Sequence, residues 1–179
     1  EKFDLIYANP YDASMLVREL GFTAIARPVG KSDETVIAVS ADSEYHTVED
    51  LQSGARVATT DDPDVHTMGM IMLESADLDK TNVELSEQAS YVVVAKKLLN
   101  GDADAGFFLK EAYDELSELI RSRMRVLVSS QISVVHHSLL VGPRMAGYVS
   151  SLQHSLLTMQ DNEKGKGVLE SMAIEAWEP

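Results

Sequence analysis

The side chains best suited to hold a ligand are hydroxyls and imidazoles placed where an apolar run gives way to a helical one. In "VATTDDPDVHTMGMIMLES" (Val57–Ser75), Thr59, Thr60, His66 and Thr67 occupy such a junction. At a helix start the backbone N–H groups lack partners and the helix dipole is positive. An anion is therefore stabilised there without any basic side chain. The three threonine hydroxyls and a ring nitrogen of His66 would add donors. The competing account is ordinary capping by Asp64 or Thr67.

Two more junctions repeat the pattern. In "NPYD", Asn9 and Asp12 are turn and cap residues, and Tyr11 could present its phenol to a cleft. In "SEQASY", Ser90 is both a cap candidate and a ligand hydroxyl. For each the plain alternative is a capped turn. "VVHHS" sets His136 beside His137. Neighbours in a strand point to opposite faces, so one of the pair, taken as His136, would face the cleft and the two would not share a metal. No third ligand stands at a recognised spacing, so no metal is expected.

These residues need elements to hold them. Strands are expected over Asp4–Ala8, Phe22–Val29, Thr35–Ala41, Ala55–Thr60, Asn82–Glu87 and Ala103–Phe108, and in "MRVLVSS" and "SVVHHSLLVG". Helices are expected over Asp12–Leu20 with Asp12 as N-cap, Thr47–Gly54, Met68–Ala76, Ser90–Gly101 and Lys110–Ser122. From Pro143 to Ala176 the pattern is mostly helical, broken near Asp161–Gly167, and Trp177 is expected on a lobe surface. This alternation indicates an α/β fold with mostly parallel sheets, whose strand-to-helix turns cluster where such folds bind ligands. Thr35–Ala41 and Ser129–Leu140 are candidate crossings between two lobes.

Composition sets the outer limits. The chain has 179 residues, 45% hydrophobic and 25% charged, an ordinary globular balance. A net charge of −14 disfavours nucleic acid, which needs a concentrated basic face. The densest basic run, "RSRMR" (Arg121–Arg125), suits a helix end. With no cysteine there are no disulfides and no thiolate chemistry. The longest apolar runs, such as Tyr91–Ala95, are too short to cross a bilayer. Glu1 leads directly into the strand-like "FDLIYA", so upstream sequence, including any targeting segment, is expected to be missing. No hydrolase elbow, P-loop, zincin or dinucleotide motif occurs, so neither catalytic residues nor a cofactor are assigned.

Five stretches in order carry a family resemblance: "FDLIYANPYDA", "TVIAVSADSEYHTVEDLQSGARVATTDDPD", "LLNGDADAGFF", "RVLVSSQISVVHHSLLV" and "EKGKGVLESMAIEAWEP". Together they resemble the phosphate/phosphite/phosphonate substrate-binding proteins of ABC transporters, the PhnD-like group with a type II periplasmic binding protein fold. The resemblance implies two lobes joined by two hinge crossings. Residues 1–40 and 133–179 would form the first, lacking an upstream strand and helix, and residues 41–132 the second. It implies a small oxyanion, phosphonate-like or phosphate-like, held in the interlobe cleft by Asn9, Tyr11, Thr59, Thr60, His66, Thr67, Ser90 and His136. It further implies a periplasmic or lipid-anchored monomer that delivers its ligand to an ABC permease. An alternative with the same fold is the extracytoplasmic sensing domain of a kinase or cyclase; an enzyme or a cytosolic regulator's effector domain is a third. The chain departs from the family at the phosphoryl-gripping Ser-Thr-Ser-Gly turn, where it has His66-Thr67-Met68-Gly69. It also lacks the histidine often found near Ser90 and the acidic residue near Leu109.

Overall fold

A computed structural model describes residues 3–132 and 135–179. In chain order the elements begin with β1 (Leu5–Ala8), α1 (Pro10–Leu20), β2 (Thr23–Pro28) and β3 (Thr35–Ser40). There follow β4 (Arg56–Thr59), α2 (Pro63–Leu73), β5 (Glu84–Glu87), α3 (Tyr91–Leu99) and β6 (Ala105–Leu109). The chain continues through α4 (Lys110–Asp114), α5 (Glu118–Arg121), β7 (Met124–Ser129) and β8 (Ser138–Val141). It ends with α6 (Val149–Leu157), α7 (Glu163–Ser171) and β9 (Trp177–Glu178).

These elements fall into two compact units. The first runs to Ser32 and resumes after the second, which is Asp33–Ile132. The division thus falls after Ser32, where the sequence reading put it after residue 40. The reason is that β3 lies inside the second unit's sheet and gives Val36, Ile37, Ala38 and Val39 to its core.

The second unit's sheet has the order β5-β4-β6-β3-β7. β4 pairs in parallel with β5 and β6, whereas β3 runs antiparallel to both β6 and β7. Thr35 stands opposite Leu109, and Val36 opposite Ser129. The chain therefore enters this unit at the edge where β6 and β7 end, which forces β3 to run against them. We call this edge the carboxyl edge. The first unit's sheet, β1-β8-β2-β9, is antiparallel throughout. β8 starts beside the end of β1, with Ser138 opposite Ala8, and so runs back between β1 and β2. Parallel pairing is thus confined to β5-β4-β6, fewer pairs than the mostly parallel sheets expected.

In the second unit, alternate residues of the central strands face opposite layers. Ile37, Val57 and Phe107 pack with Val65 and Leu73 of α2. Val36, Ala58 and Phe108 pack with Val94 and Leu98 of α3. The first unit holds two smaller clusters: Ala8, Leu16, Phe22 and Leu140; and Ala26, Leu169, Ile174 and Trp177. Trp177 is buried, pairing through β9 with Pro28, rather than lying on a surface.

Several boundaries differ from the sequence reading. Asn9, not Asp12, caps α1: its side chain accepts from the Asp12 amide at 2.8 Å, and Pro10 opens the helix. The expected helix over Thr47–Gly54 reduces to a 3-10 turn at Val48–Asp50, although its capping box is present. The expected helix over Lys110–Ser122 is split between α4 and α5, because Ser117 caps the Ile120 amide and starts a new helix. His136 and His137 precede β8 rather than lying within it, and Ser133 and Val134 of the same stretch lie outside the described residues.

Candidate functional site

The carboxyl edge of the second unit gathers polar groups that its packing leaves without partners. β4 is pinned at its other end, where Arg56 and Asp104 form a two-pronged ion pair with contacts of 2.7 and 3.1 Å. The Asp104 carboxylate also accepts from the Arg56 amide at 2.8 Å. These bonds hold the Asp104 carboxyl below the usual carboxylate range. The strand then delivers Thr59 and Thr60 to the carboxyl edge at 0% and 7% exposure. Neither hydroxyl has a hydrogen-bond partner. The same holds for Thr35 Oγ1, at the start of β3 on that edge. Leaving a buried hydroxyl unsatisfied costs about 1–3 kcal/mol, so three at one edge mark a place where something else supplies the bonds.

Thr60 shares the α3 face of the sheet with Tyr91. The Tyr91 ring lies 6.0 Å from Phe108, and its phenol donates to Asp62 Oδ2 at 3.2 Å. Burial pushes the Tyr91 phenol up to about 12, with the Asp62 carboxylate acting in the same direction. The neighbouring Thr60 hydroxyl pulls the other way, although no hydrogen bond of normal geometry joins the two. Tyr91 therefore remains a protonated donor at neutral pH.

The two helix starts at this edge differ. α2 begins at Pro63, earlier than the Met68 expected, with Asp62 as its cap. Asp62 Oδ1 accepts from the amides of Asp64 and Val65 at 3.2 and 3.3 Å, and its carbonyl accepts from His66. The amides expected to hold an anion at this terminus are thus occupied by the protein's own carboxylate. Neither Asp64 nor Thr67 is the cap. His66 and Thr67 fall inside α2 and line a groove of about 400 Å³ on its outer side, with Met70, Ile71, Leu78 and Lys80. They do not join Thr60 and Tyr91.

α3 starts at Tyr91 after an extended Ser90, whose side chain makes no cap bond. The Ser90 carbonyl serves Val93 and Val94, and the Tyr91 and Val92 amides have no side-chain acceptor among the described residues. Ser90, Tyr91 and Val92 border a recess of about 460 Å³ whose other lining residues are the apolar Ala112, Leu116 and Ile120 and the polar Glu115 and Ser117. The α3 amides and the Ser90 hydroxyl suit the oxygens of an anion, and Ala112, Leu116 and Ile120 suit a short organic group on it.

The first unit holds the remaining candidates. Both polar ends of the Asn9 side chain are used in the α1 cap, its amide group reaching Asp12 Oδ2 at 3.2 Å. Tyr11 is exposed in the first turn of α1. His136 Nδ1 lies 3.2 Å from the His137 carbonyl and 3.5 Å from the Ser138 hydroxyl. The His137 ring stacks on Tyr7 at 5.2 Å, and Tyr7 meets the edge of Trp177 at 5.9 Å. Among the described residues no group of His, Cys, Asp and Glu is placed to hold a metal ion.

The sequence reading passed over Asp62, Tyr91 and Thr35. A signal for Asp62 was available: an aspartate immediately before proline matches a helix cap followed by proline at the first helical position. Tyr91 had no comparable signal, because its role depends on contacts with Asp62 and Phe108, which are distant from it in sequence.

Comparison with known proteins shows the family and the fold. A family model described as ABC transporter, phosphonate, periplasmic substrate-binding protein matches residues 1–179. No curated protein sequence matches the chain. Among solved structures, XAC2383 from Xanthomonas citri bound to ATP is 16% identical with a TM-score of 0.81, over 99% of this chain and 72% of that one. PhnD1 from Prochlorococcus marinus in complex with methylphosphonate is 13% identical with a TM-score of 0.79, over 98% and 72%. The periplasmic aliphatic sulphonate binding protein SsuA from Escherichia coli is 19% identical with a TM-score of 0.71, over 96% and 62%. At these identities the likeness is one of fold, that of the type II periplasmic binding proteins.

Proposed function

This chain belongs to the phosphonate periplasmic substrate-binding proteins of ABC transporters, and from that premise we propose that it captures a small organic oxyanion of the phosphonate type. The ligand's oxygens would lie against Thr60, the Ser90 hydroxyl and the Tyr91 and Val92 amides. Its organic group would enter the recess beside α3. Thr59 would contribute through ordered water, since it sits on the α2 side of the sheet. Tyr11 and His136 belong to the first unit, and Asn9 there serves as the cap of α1. His66 and Thr67 take no part in this arrangement.

The reading rests on one observation: the buried, unpartnered Thr60 hydroxyl beside the uncapped start of α3. Helix dipoles and neutral donors act locally, so a net charge of −14 does not bar an anion from the edge. The family acts in the periplasm and hands its ligand to a permease. Among the described residues no helix is long and apolar enough to cross a membrane.

The test is a thermal-shift screen against methylphosphonate, phosphite, phosphate, methanesulfonate and simple carboxylates, followed by calorimetry. A ligand at about a hundred times its dissociation constant adds roughly 2.7 kcal/mol, so a specific oxyanion raises the melting temperature clearly. A flat response across the panel would remove the reading.

A further inference from the structure

We propose that Asp62 selects oxyanions that still carry a proton, so that the site takes phosphonates and rejects sulfonates of the same shape. The inference rests on the functional reading above, which places the ligand against Thr60 and Tyr91, and it concerns what else the ligand meets there. Asp62 is held from two sides, with Oδ1 on the Asp64 and Val65 amides and Oδ2 on the Tyr91 phenol. A carboxylate so placed cannot turn away without uncapping α2. The Tyr91 bond, at 3.2 Å, leaves Oδ2 with capacity to accept another hydrogen. Beside it stands Thr60 Oγ1, buried and without a partner.

An ionised carboxylate only accepts. An alkylphosphonate monoanion has one P–OH that can donate to Asp62 Oδ2, while its other oxygens accept from Thr60, Ser90 and the α3 amides. A sulfonate near neutral pH has three acceptor oxygens and no proton. Seated in the same place, it would set an acceptor against an acceptor and one negative charge against another. Sites built around a hydrogen bond reject an analogue that cannot make it far more strongly than apolar pockets reject a change of size. The same logic disfavours the phosphonate dianion, so affinity for a phosphonate falls as pH is raised through the ligand's second ionisation.

Calorimetric titration with methylphosphonate and methanesulfonate, which match in shape, tests this on the unmodified chain and on Asp62→Asn. Asparagine caps a helix about as well as aspartate, so the variant keeps the start of α2 while removing the charge. Asp62→Ser, also a good cap, serves as a second variant, and circular dichroism checks both. The unmodified chain is expected to prefer methylphosphonate by at least about 100-fold. The preference should shrink to within about 10-fold in Asp62→Asn, chiefly through gained sulfonate binding. Equal binding of both ligands by the unmodified chain would overturn the proposal, as would an unaltered preference in both variants. Binding of neither ligand would instead take down the oxyanion reading on which the proposal rests.

Discussion

Thr60 and Tyr91 place stability and function in opposition. The Thr60 hydroxyl is buried and unpartnered, so it weakens the folded protein unless a ligand or water reaches it. Valine has nearly the same shape, favours strands, and carries no polar atom to leave unsatisfied. Thr60→Val is therefore expected to raise unfolding stability by about 1 kcal/mol in urea melts while weakening oxyanion binding by about 10-fold or more. A variant that lost both stability and binding would show that the hydroxyl is satisfied in the folded chain. Tyr91 gives a second readout. Its phenol is pushed up to about 12, against about 10 for a free tyrosine. Between these two values the unfolded chain has lost a proton that the folded chain keeps. The stabilisation linked to Tyr91 is thus fully present below about pH 10 and is lost as pH rises toward 12. Absorbance titration at the tyrosinate band should show Tyr91 among the late-titrating tyrosines, alongside Tyr113, whose phenol is also pushed up by burial, and Tyr91→Phe should remove the component near pH 12.

At the scale of elements, two helical glycines, Gly69 of α2 and Gly167 of α7, stand in opposite surroundings. A Cβ added at Gly69 would come within 2.4 Å of the Phe107 ring, which is fully buried beneath α2. At Gly167, in the exposed part of α7, an added Cβ meets nothing. Both positions are helical, so alanine gains about 1 kcal/mol of intrinsic propensity at each. At Gly167 that gain should appear in full as a higher melting temperature. At Gly69 it is outweighed by overpacking, for a net loss of about 1–3 kcal/mol. This contrast also shows what was legible in the sequence. The order of strands and helices could be read because apolar periodicity is local, and the glycine just past α1, at φ 70°, could be read as its terminator. The start of α2 was misplaced because two sets of cap candidates lay within one turn, and tertiary contact with Tyr91 favours Asp62. The break between α4 and α5 was hidden because Ser117, which caps α5, sits in a run of strong helix formers. That Thr59 and Thr60 stand at the end of a strand and Ser90 at the start of a helix was legible in the sequence. The carboxylate on the α2 amides was not, since it depends on the backbone geometry of one turn.

At the scale of the whole molecule, the two units differ in how completely each buries its own core. Fully buried Phe107, Phe108, Ile37, Leu73, Leu98, Val39 and Val57 all belong to the second unit, against Ile25, Leu140 and Val141 in the first. The first unit also leaves Phe3, Leu5, Tyr7, Val17 and Leu20 exposed, and its β1 is an edge strand. Its two segments are separated in sequence by the whole second unit, so bringing them together in an unfolded chain means closing a long loop. If the second unit folds first, most of that entropy has already been lost. Local stability should therefore be uneven. In native-state hydrogen exchange, the amides of Ile37, Val39, Val57 and Phe107 are expected to be the slowest, opening only with global unfolding. Those of β1 and β8 should open at lower free energy. Residues 33–132, expressed alone, should fold cooperatively with dispersed amide resonances, because the five-stranded sheet and both of its packed faces lie within that span. Such a fragment keeps Thr60, Asp62, Ser90 and Tyr91 together, so it should retain a preference for methylphosphonate over methanesulfonate. A fragment that folds but shows no preference would overturn the assignment of discrimination to Asp62.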